Sequence, residues 1–232
     1  MTMTEKPYQT ALIVGAGPGL GASLARQCRA RGMQVALAAR DPAKLAGLAA
    51  ELDLTALECD VSDPAAVARL FVLAEAALGS IESVFFNASG RVKGPLATLD
   101  AKAVADVIAI SAYGGFLVAK EAASRMTQAG RGAIFFTGAS ASVKGYAQSA
   151  PFAMGKFALR GLAQSAAREL APLGIHVAHF VIDGAIRRAG SSANDDSQLD
   201  PDAIAQTYMA ILDQPRSAWT WEVEVRPWVE KF

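Results

Sequence analysis

Cysteine and histidine are scarce in this chain: Cys28 and Cys59 are the two cysteines and His176 and His179 the two histidines among 232 residues. The cysteines lie far apart with no CxxC spacing, which excludes a disulfide scaffold and a zinc ribbon and suits a reducing, cytoplasmic setting. The histidines stand three apart on one extended run and face opposite ways, so they cannot chelate one metal, and no metal site is expected. An excess of charge of one sign is also missing. The 22 Lys+Arg balance the 22 Asp+Glu, with no basic stripe, which argues against a nucleic-acid or anionic-membrane surface. No apolar run reaches the ~20 residues of a bilayer span, and the opening Met1–Thr10 is polar, unlike a signal peptide.

What is present is core-forming material. Hydrophobic residues make up 52% and charged residues 19%, a composition that excludes a disordered chain and suits one domain over residues 1–232. Short β-branched and aromatic runs alternate with alanine-rich helical stretches. That pattern predicts an α/β fold with a doubly wound parallel sheet of about seven strands. Strands are expected at 11–14, 34–39, 56–60, 84–87, 133–137, 176–182 and 221–225. Helices are expected at 21–30, 42–52, 64–78, 100–128, 152–170 and 201–212. Asp41-Pro42 and Asp63-Pro64 read as an N-cap followed by proline at the first helical position. The polar run Gly190–Asp200 is expected to be a mobile loop within a mobile segment near 187–202.

The first strand runs into Gly15-Ala16-Gly17-Pro18-Gly19-Leu20-Gly21 and then a helix. A glycine-rich strand-to-helix turn lets backbone approach a pyrophosphate, which rests on the N–H groups of the helix N-terminus. A plain tight turn is the alternative, but it does not need alternating glycines, each of which loses extra backbone entropy on folding. Strand two ends in Ala39-Arg40-Asp41. A carboxylate at that strand end would accept hydrogen bonds from a ribose 2′-hydroxyl, whereas an arginine pairs with a 2′-phosphate. Arg40 therefore points to NADP as the preferred cofactor, with NAD possible.

With this loop, Cys59-Asp60-Val61, the Phe86-Asn87-Ala88-Ser89 turn and the helix around Lys156, the chain resembles the short-chain dehydrogenase/reductase family over about residues 10–186. The resemblance implies a seven-stranded Rossmann-type fold and binding of NADP(H) or NAD(H). It implies that Gly15, Gly17, Pro18, Gly19 and Leu20 form the phosphate loop, that Asp60 and Val61 flank the adenine, and that Asn87 and Ala88 line the adenine-side ribose. Lys156 would hold the nicotinamide ribose hydroxyls. Gly184 would stand in the family's Pro-Gly turn, with Asp183 in place of the proline. A homo-dimer or homo-tetramer and a small-molecule substrate are implied as well.

The chain departs from the family at the reaction centre. The family's general acid is a Tyr four residues before the Lys, on the same helical face; here that residue is Phe152. The assisting Ser maps to Ala139, with Ser140 beside it, and the helical Asn maps to Ser111. Displaced-Tyr spacings of the family's enoyl and dienoyl reductases land on Ser149 and Ala141, so neither applies. Tyr146 is the nearest phenol in sequence and Tyr113 lies near Ser111. Each is a candidate acid or an ordinary packing residue, and Ser140 or Ser142 either hydrogen-bonds a substrate carbonyl or only satisfies backbone groups. Arg187 and Arg188 follow Gly184 and are either phosphate or acidic-substrate ligands or solvated charges. Gly114-Gly115 are expected to allow close helix packing, and the terminal Trp219, Trp221 and Trp228 to serve core and subunit contact.

Two readings follow. One is an oxidoreductase of small carbonyls, alcohols or activated alkenes with a degenerate centre, its candidate catalytic residues being Lys156, Ser140, Ser111 and Tyr146. The other is a catalytically silent nucleotide-binding protein, either a redox sensor or a non-catalytic subunit. They differ in whether the space before Phe152 is open or filled.

Overall fold

In the computed structural model, which describes residues 7–188 and 196–230, the chain alternates between strand and helix almost throughout. The strands are β1 (Thr10–Val14), β2 (Gln34–Ala39), β3 (Thr55–Glu58), β4 (Ser83–Phe86), β5 (Gly132–Thr137), β6 (Ile175–Ile182) and β7 (Glu222–Val225). They form one seven-stranded parallel sheet in the order β3-β2-β1-β4-β5-β6-β7. The helices are α1 (Leu20–Ala30), α2 (Ala46–Leu52), α3 (Pro64–Leu78), α4 (Ala101–Ile108), α5 (Gly114–Ala129), α6 (Ala150–Leu170) and α7 (Pro201–Leu212).

The two-residue period of the strands sorts the core into two layers. Leu12, Val14, Phe86, Ile134 and Phe136 face α3, α5 and α6, where Leu70, Phe71, Val118 and Leu159 close over them. Ala11, Ile13, Phe85, Phe135 and Phe180 face the other way, onto Leu24 and Cys28 of α1 and Tyr208, Met209 and Leu212 of α7. With both sheet faces covered, the inner strands are apolar at nearly every position, which is why their sequence lacks alternation.

The expected strands recur within a residue or two, and the helices carry the corrections. The helix expected over 42–52 is a 3-10 turn, Pro42–Leu45, followed by α2. Asp41 does not cap it; its carboxylate pairs with Lys44 at 3.3 Å. Asp63 does cap α3, accepting from the Ala65 N–H at 2.9 Å. The continuous helix expected over 100–128 is α4 and α5 joined by a π-helical turn, Ala109–Tyr113. Gly115 follows that turn, and a Cβ on it would stand 2.5 Å from Leu159 Cδ1, so the expected close packing on α6 is realised.

By length and composition the helical run Ala101–Ala129 would pass for a membrane span, which the sequence reading did not anticipate. In the fold one face of it, carrying Leu117, Val118, Ala122 and Met126, is buried against the sheet, and Tyr113 and Phe116 stay exposed. His176 and His179 do face opposite ways: His176 stacks on Trp219, with ring centroids 4.7 Å apart, and His179 Nδ1 meets Glu222 Oε2 at 3.1 Å. Trp228 is exposed. The loop expected at 190–200 falls partly outside the described residues.

After β1 the chain moves to β2 on one side of the sheet, and β4 returns on the other. The carboxyl ends of β1 and β4 therefore flank the point where the winding reverses, the crevice in which open α/β sheets bind ligands. The glycine loop leaves β1 and Asn87 leaves β4 at that point.

Candidate active site

Three adjoining cavities run along this crevice, and Asn87 borders all of them. Asn87 is fixed by its own backbone N–H, which donates to the Val14 carbonyl at 2.8 Å, and by Nδ2, which donates to the Gly15 carbonyl at 3.0 Å. It ties the end of β4 to the glycine loop.

The first cavity, about 540 Å³, lies between Gly15, Gly17 and Pro18 on one side and Arg40, Val61 and Ala88 on the other. Gly15 has φ +79°, and a Cβ there would stand 2.3 Å from the Ala88 amide nitrogen, so any side chain would push the loop off β4. Arg40 and Lys44 are the cations on its rim. Asp60 does not border it, unlike Cys59 and Val61. Its carboxylate turns to Ser62, accepting from Oγ at 2.7 Å and from N at 2.9 Å, and these bonds hold it below the ordinary aspartate range. Burial pushes the Cys59 thiol up to about 11, so it stays protonated at neutral pH.

The second cavity, about 560 Å³, is bounded by Gly17, Pro18, Gly19, Leu20 and Gly21 and by Ile186, Arg187 and Arg188. Cβ atoms on Gly17 or Gly19 would have nothing within 4 Å and would project into open space. No side chain caps the first turn of α1. Together the bare backbone, the helix N-terminus and the arginines could hold a pyrophosphate. Arg187 is also ion-paired with Asp200.

The third cavity, about 810 Å³, holds Ala139, Phe152 and Lys156, positions at which the family resemblance expects the reaction centre. Phe152 and Lys156 are one turn apart on α6 and both line it, with Gly184 and Ala139 opposite. The Lys156 ammonium is buried and donates to the Thr137 carbonyl at 2.7 Å. Burial pushes its pKa down to about 8. Its Nζ lies 5.8 Å from the centroid of the Phe152 ring. On that same ring sits Arg91, its Cζ 4.8 Å from the centroid. Among the described residues the wall carries three cations, Arg91, Lys156 and Arg188, and no carboxylate.

The other candidates from the sequence are not assembled here. Ser140 does not line the cavity, and Ser142 Oγ accepts from the Ala139 N–H at 3.1 Å. Tyr146 is 47% exposed, with the Lys144 ammonium 5.9 Å from its ring. Tyr113 is exposed and stacks on Phe116. Ser111 is buried in the π-helical turn, where its Oγ accepts from the Gly90 N–H at 3.0 Å and its Cβ packs on Gly155. It braces the Asn87 turn against α6 and does not reach the cavity.

Sequence reasoning missed Arg91, which is distant from Phe152 in the chain and carries no motif. It also missed the support behind Lys156. Tyr208, fully buried on α7, meets Thr137 Oγ1 at 2.8 Å, so the carbonyl that receives Lys156 belongs to a residue held from both sides. Among the described residues no group of acidic, His and Cys side chains could hold a metal ion.

Comparison with known proteins agrees with this geometry. The family model described as short chain dehydrogenase matches residues 9–195. A short-chain dehydrogenase from Rhodopseudomonas palustris superposes with TM-score 0.82 and 34% identity, covering 96% of this chain and all of the other. A metagenomic short-chain oxidoreductase crystallised with NADP gives TM-score 0.84 and 30% identity over 96% of this chain and 98% of that one. The 3-oxoacyl-[acyl-carrier-protein] reductase MabA of Mycobacterium avium is 30% identical over 188 residues, 81% of this chain and 71% of its own. Fold and site thus define an NAD(P)-dependent oxidoreductase. The chain belongs to the short-chain dehydrogenase/reductase family.

Proposed function

We propose that this protein is an NADP(H)-preferring oxidoreductase acting on a small carbonyl, alcohol or activated alkene, with Lys156 the one member of the usual catalytic set left in place. The observation that carries the reading is the continuous crevice from Arg40 to Lys156. One end offers cations at the ribose position, the middle offers bare glycine backbone at a helix N-terminus, and the far end offers a buried ammonium beside an open cavity.

The residues fit the dinucleotide. Gly15, Gly17, Pro18, Gly19 and Leu20 would receive the pyrophosphate, Asn87, Ala88 and Val61 the adenosine, and Arg40 the 2′-phosphate. Gly184 would border the nicotinamide and Lys156 its ribose hydroxyls. Asp60 would act through Ser62 and the shape of its loop. When bound, the nicotinamide donates or accepts a hydride. Reduction of a carbonyl also requires one proton delivered to oxygen, and Phe152 has none. An ammonium whose pKa is near 8 is matched to that task near neutral pH, directly or through a water.

Catalysis is favoured over a silent role because the space before Phe152 is an open cavity of about 810 Å³ and not a packed core. Free, buried Cys28 and Cys59 suit a cytoplasmic setting. The exposed Tyr113, Phe116, Met154 and Phe157 on the π-helical turn, α5 and α6 support a homo-dimer or homo-tetramer. The reading is tested by following loss of NADPH absorbance over a panel of aldehydes, ketones and enones. Turnover of at least one class, lost in Lys156→Ala, is expected; an inert wild-type protein that still binds NADPH would return the silent reading.

A further inference from the structure

We propose that the cavity beside Phe152 takes a carbonyl substrate that carries a carboxylate, and that Arg91 is the residue that selects it. This rests on the cofactor reading above, since it assigns the remaining space of the same site.

Among the described residues the wall of the cavity is positive, with Arg91, Lys156 and Arg188 and no carboxylate lining it. The three cations have different duties. Lys156 is held on the Thr137 carbonyl. Arg188 borders both this cavity and the glycine-loop cavity, and so sits where the cofactor phosphates pass. Arg91 borders this cavity alone of the three. No described carboxylate lies within ion-pair distance of it, and its contact is the face of the Phe152 ring.

That contact explains how an exposed arginine can be positioned. A guanidinium lying over an aromatic face is attracted by the ring quadrupole while its N–H donors, which lie in the guanidinium plane, stay unused. The fork that remains matches a carboxylate bidentately. The ring that replaces the family's phenol thus keeps a platform for Arg91 while giving up the proton. An anion bound there would lie at the same ring that Lys156 approaches, which places its carbonyl near the ammonium.

The test uses full-length protein saturated with NADP+, which cannot reduce the probe, and calorimetric titration with short- and medium-chain 2-oxo and 3-oxo acids and their methyl esters. At least one acid is expected to bind about 10- to 100-fold more tightly than its ester, as a charge-assisted pair should. Arg91→Ala should erase that preference without changing NADP+ affinity, and Arg91→Lys, which keeps charge but loses the fork, should restore part of it. Equal binding of acid and ester, no binding of any acid, or an Arg91→Ala variant that weakens both alike would overturn the proposal. Wild-type protein that fails to bind NADP+ would instead refute the cofactor reading itself.

Discussion

Lys156 reaches across from α6 to the end of β5, where its ammonium donates to the Thr137 carbonyl at 2.7 Å. The bond joins the helix that carries Phe152 and Lys156 to the sheet, and it keeps a charge in a place where burial opposes it. Lys156 is protonated below about 8 and neutral above. Affinity of the free protein for NADPH is therefore expected to fall as pH rises through about 8, because the neutral amine no longer offers a charged donor to the ribose hydroxyls. Lys156→Met should bind more weakly at pH 7 and show a flat profile there. A wild-type profile that is flat from pH 7 to 9 would separate Lys156 from cofactor binding.

Phe152→Tyr places a phenol one helical turn from the ammonium, with the ring 5.8 Å from Nζ. The nearby positive charge lowers a phenol pKa and makes it a usable acid. Carbonyl-reductase activity should rise by about 100-fold, the lower end of what a positioned general acid contributes. No gain across a broad panel would mean that the cavity has diverged beyond this one oxygen.

Arg40→Ala removes the cation at the end of β2 and should weaken NADPH binding about tenfold while leaving NADH nearly unchanged, the size of one charge-assisted contact. Equal loss for both cofactors, measured by titration, would dissociate Arg40 from the 2′-phosphate.

Two glycines of the loop should separate binding from folding. Gly17→Val projects into open space and should abolish dinucleotide binding with a melting temperature close to that of the parent. Gly15→Val forces a Cβ against Ala88 at a backbone φ of +79° and should lower the melting temperature itself. Loss of fold in the first, or an intact fold in the second, would contradict this division.

Acid should destabilise the fold through His179. Burial pushes its pKa down from 6.5 to about 4, against the opposing pull of Glu222 and helped by the charges of Lys156 and Arg160. Burial pushes Glu222 up, but the hydrogen bonds and charges of Arg160 and His179 together hold it below its usual range. The unfolded chain thus binds a histidine proton below pH 6.5 that the folded chain refuses until about 4. Stability is complete above 6.5 and declines between those values, by on the order of 3 kcal/mol for the histidine alone. Urea midpoints from pH 7 to 4.5 should fall, and fall less steeply in His179→Gln. Parallel curves would mean that other groups set the acid limit.

The sheet was legible because its strands are buried on both faces, and continuous runs such as Phe85-Phe86 and Phe135-Phe136 announce that directly. The cofactor loop was legible because backbone approach demands glycine at fixed spacing. What the sequence could not give depends on contacts between distant segments. The π-helical turn at Ala109–Tyr113 has no composition of its own and forms where Ser111 meets Gly90 and Gly155. The failure of Asp41 to cap, while Asp63 does, follows from the 3-10 turn and from Lys44, neither fixed by an Asp-Pro pair. Tyr146 is near Phe152 in sequence yet stands exposed, whereas Arg91, on the segment after β4, crosses to the Phe152 ring.

The most direct measurement is calorimetric titration of purified, cofactor-free protein with NADPH and then with NADH. Tight binding of NADPH, with NADH weaker, is the result this account predicts. No binding of either at millimolar concentration would make the glycine loop a turn without a ligand and would contradict the account at its centre.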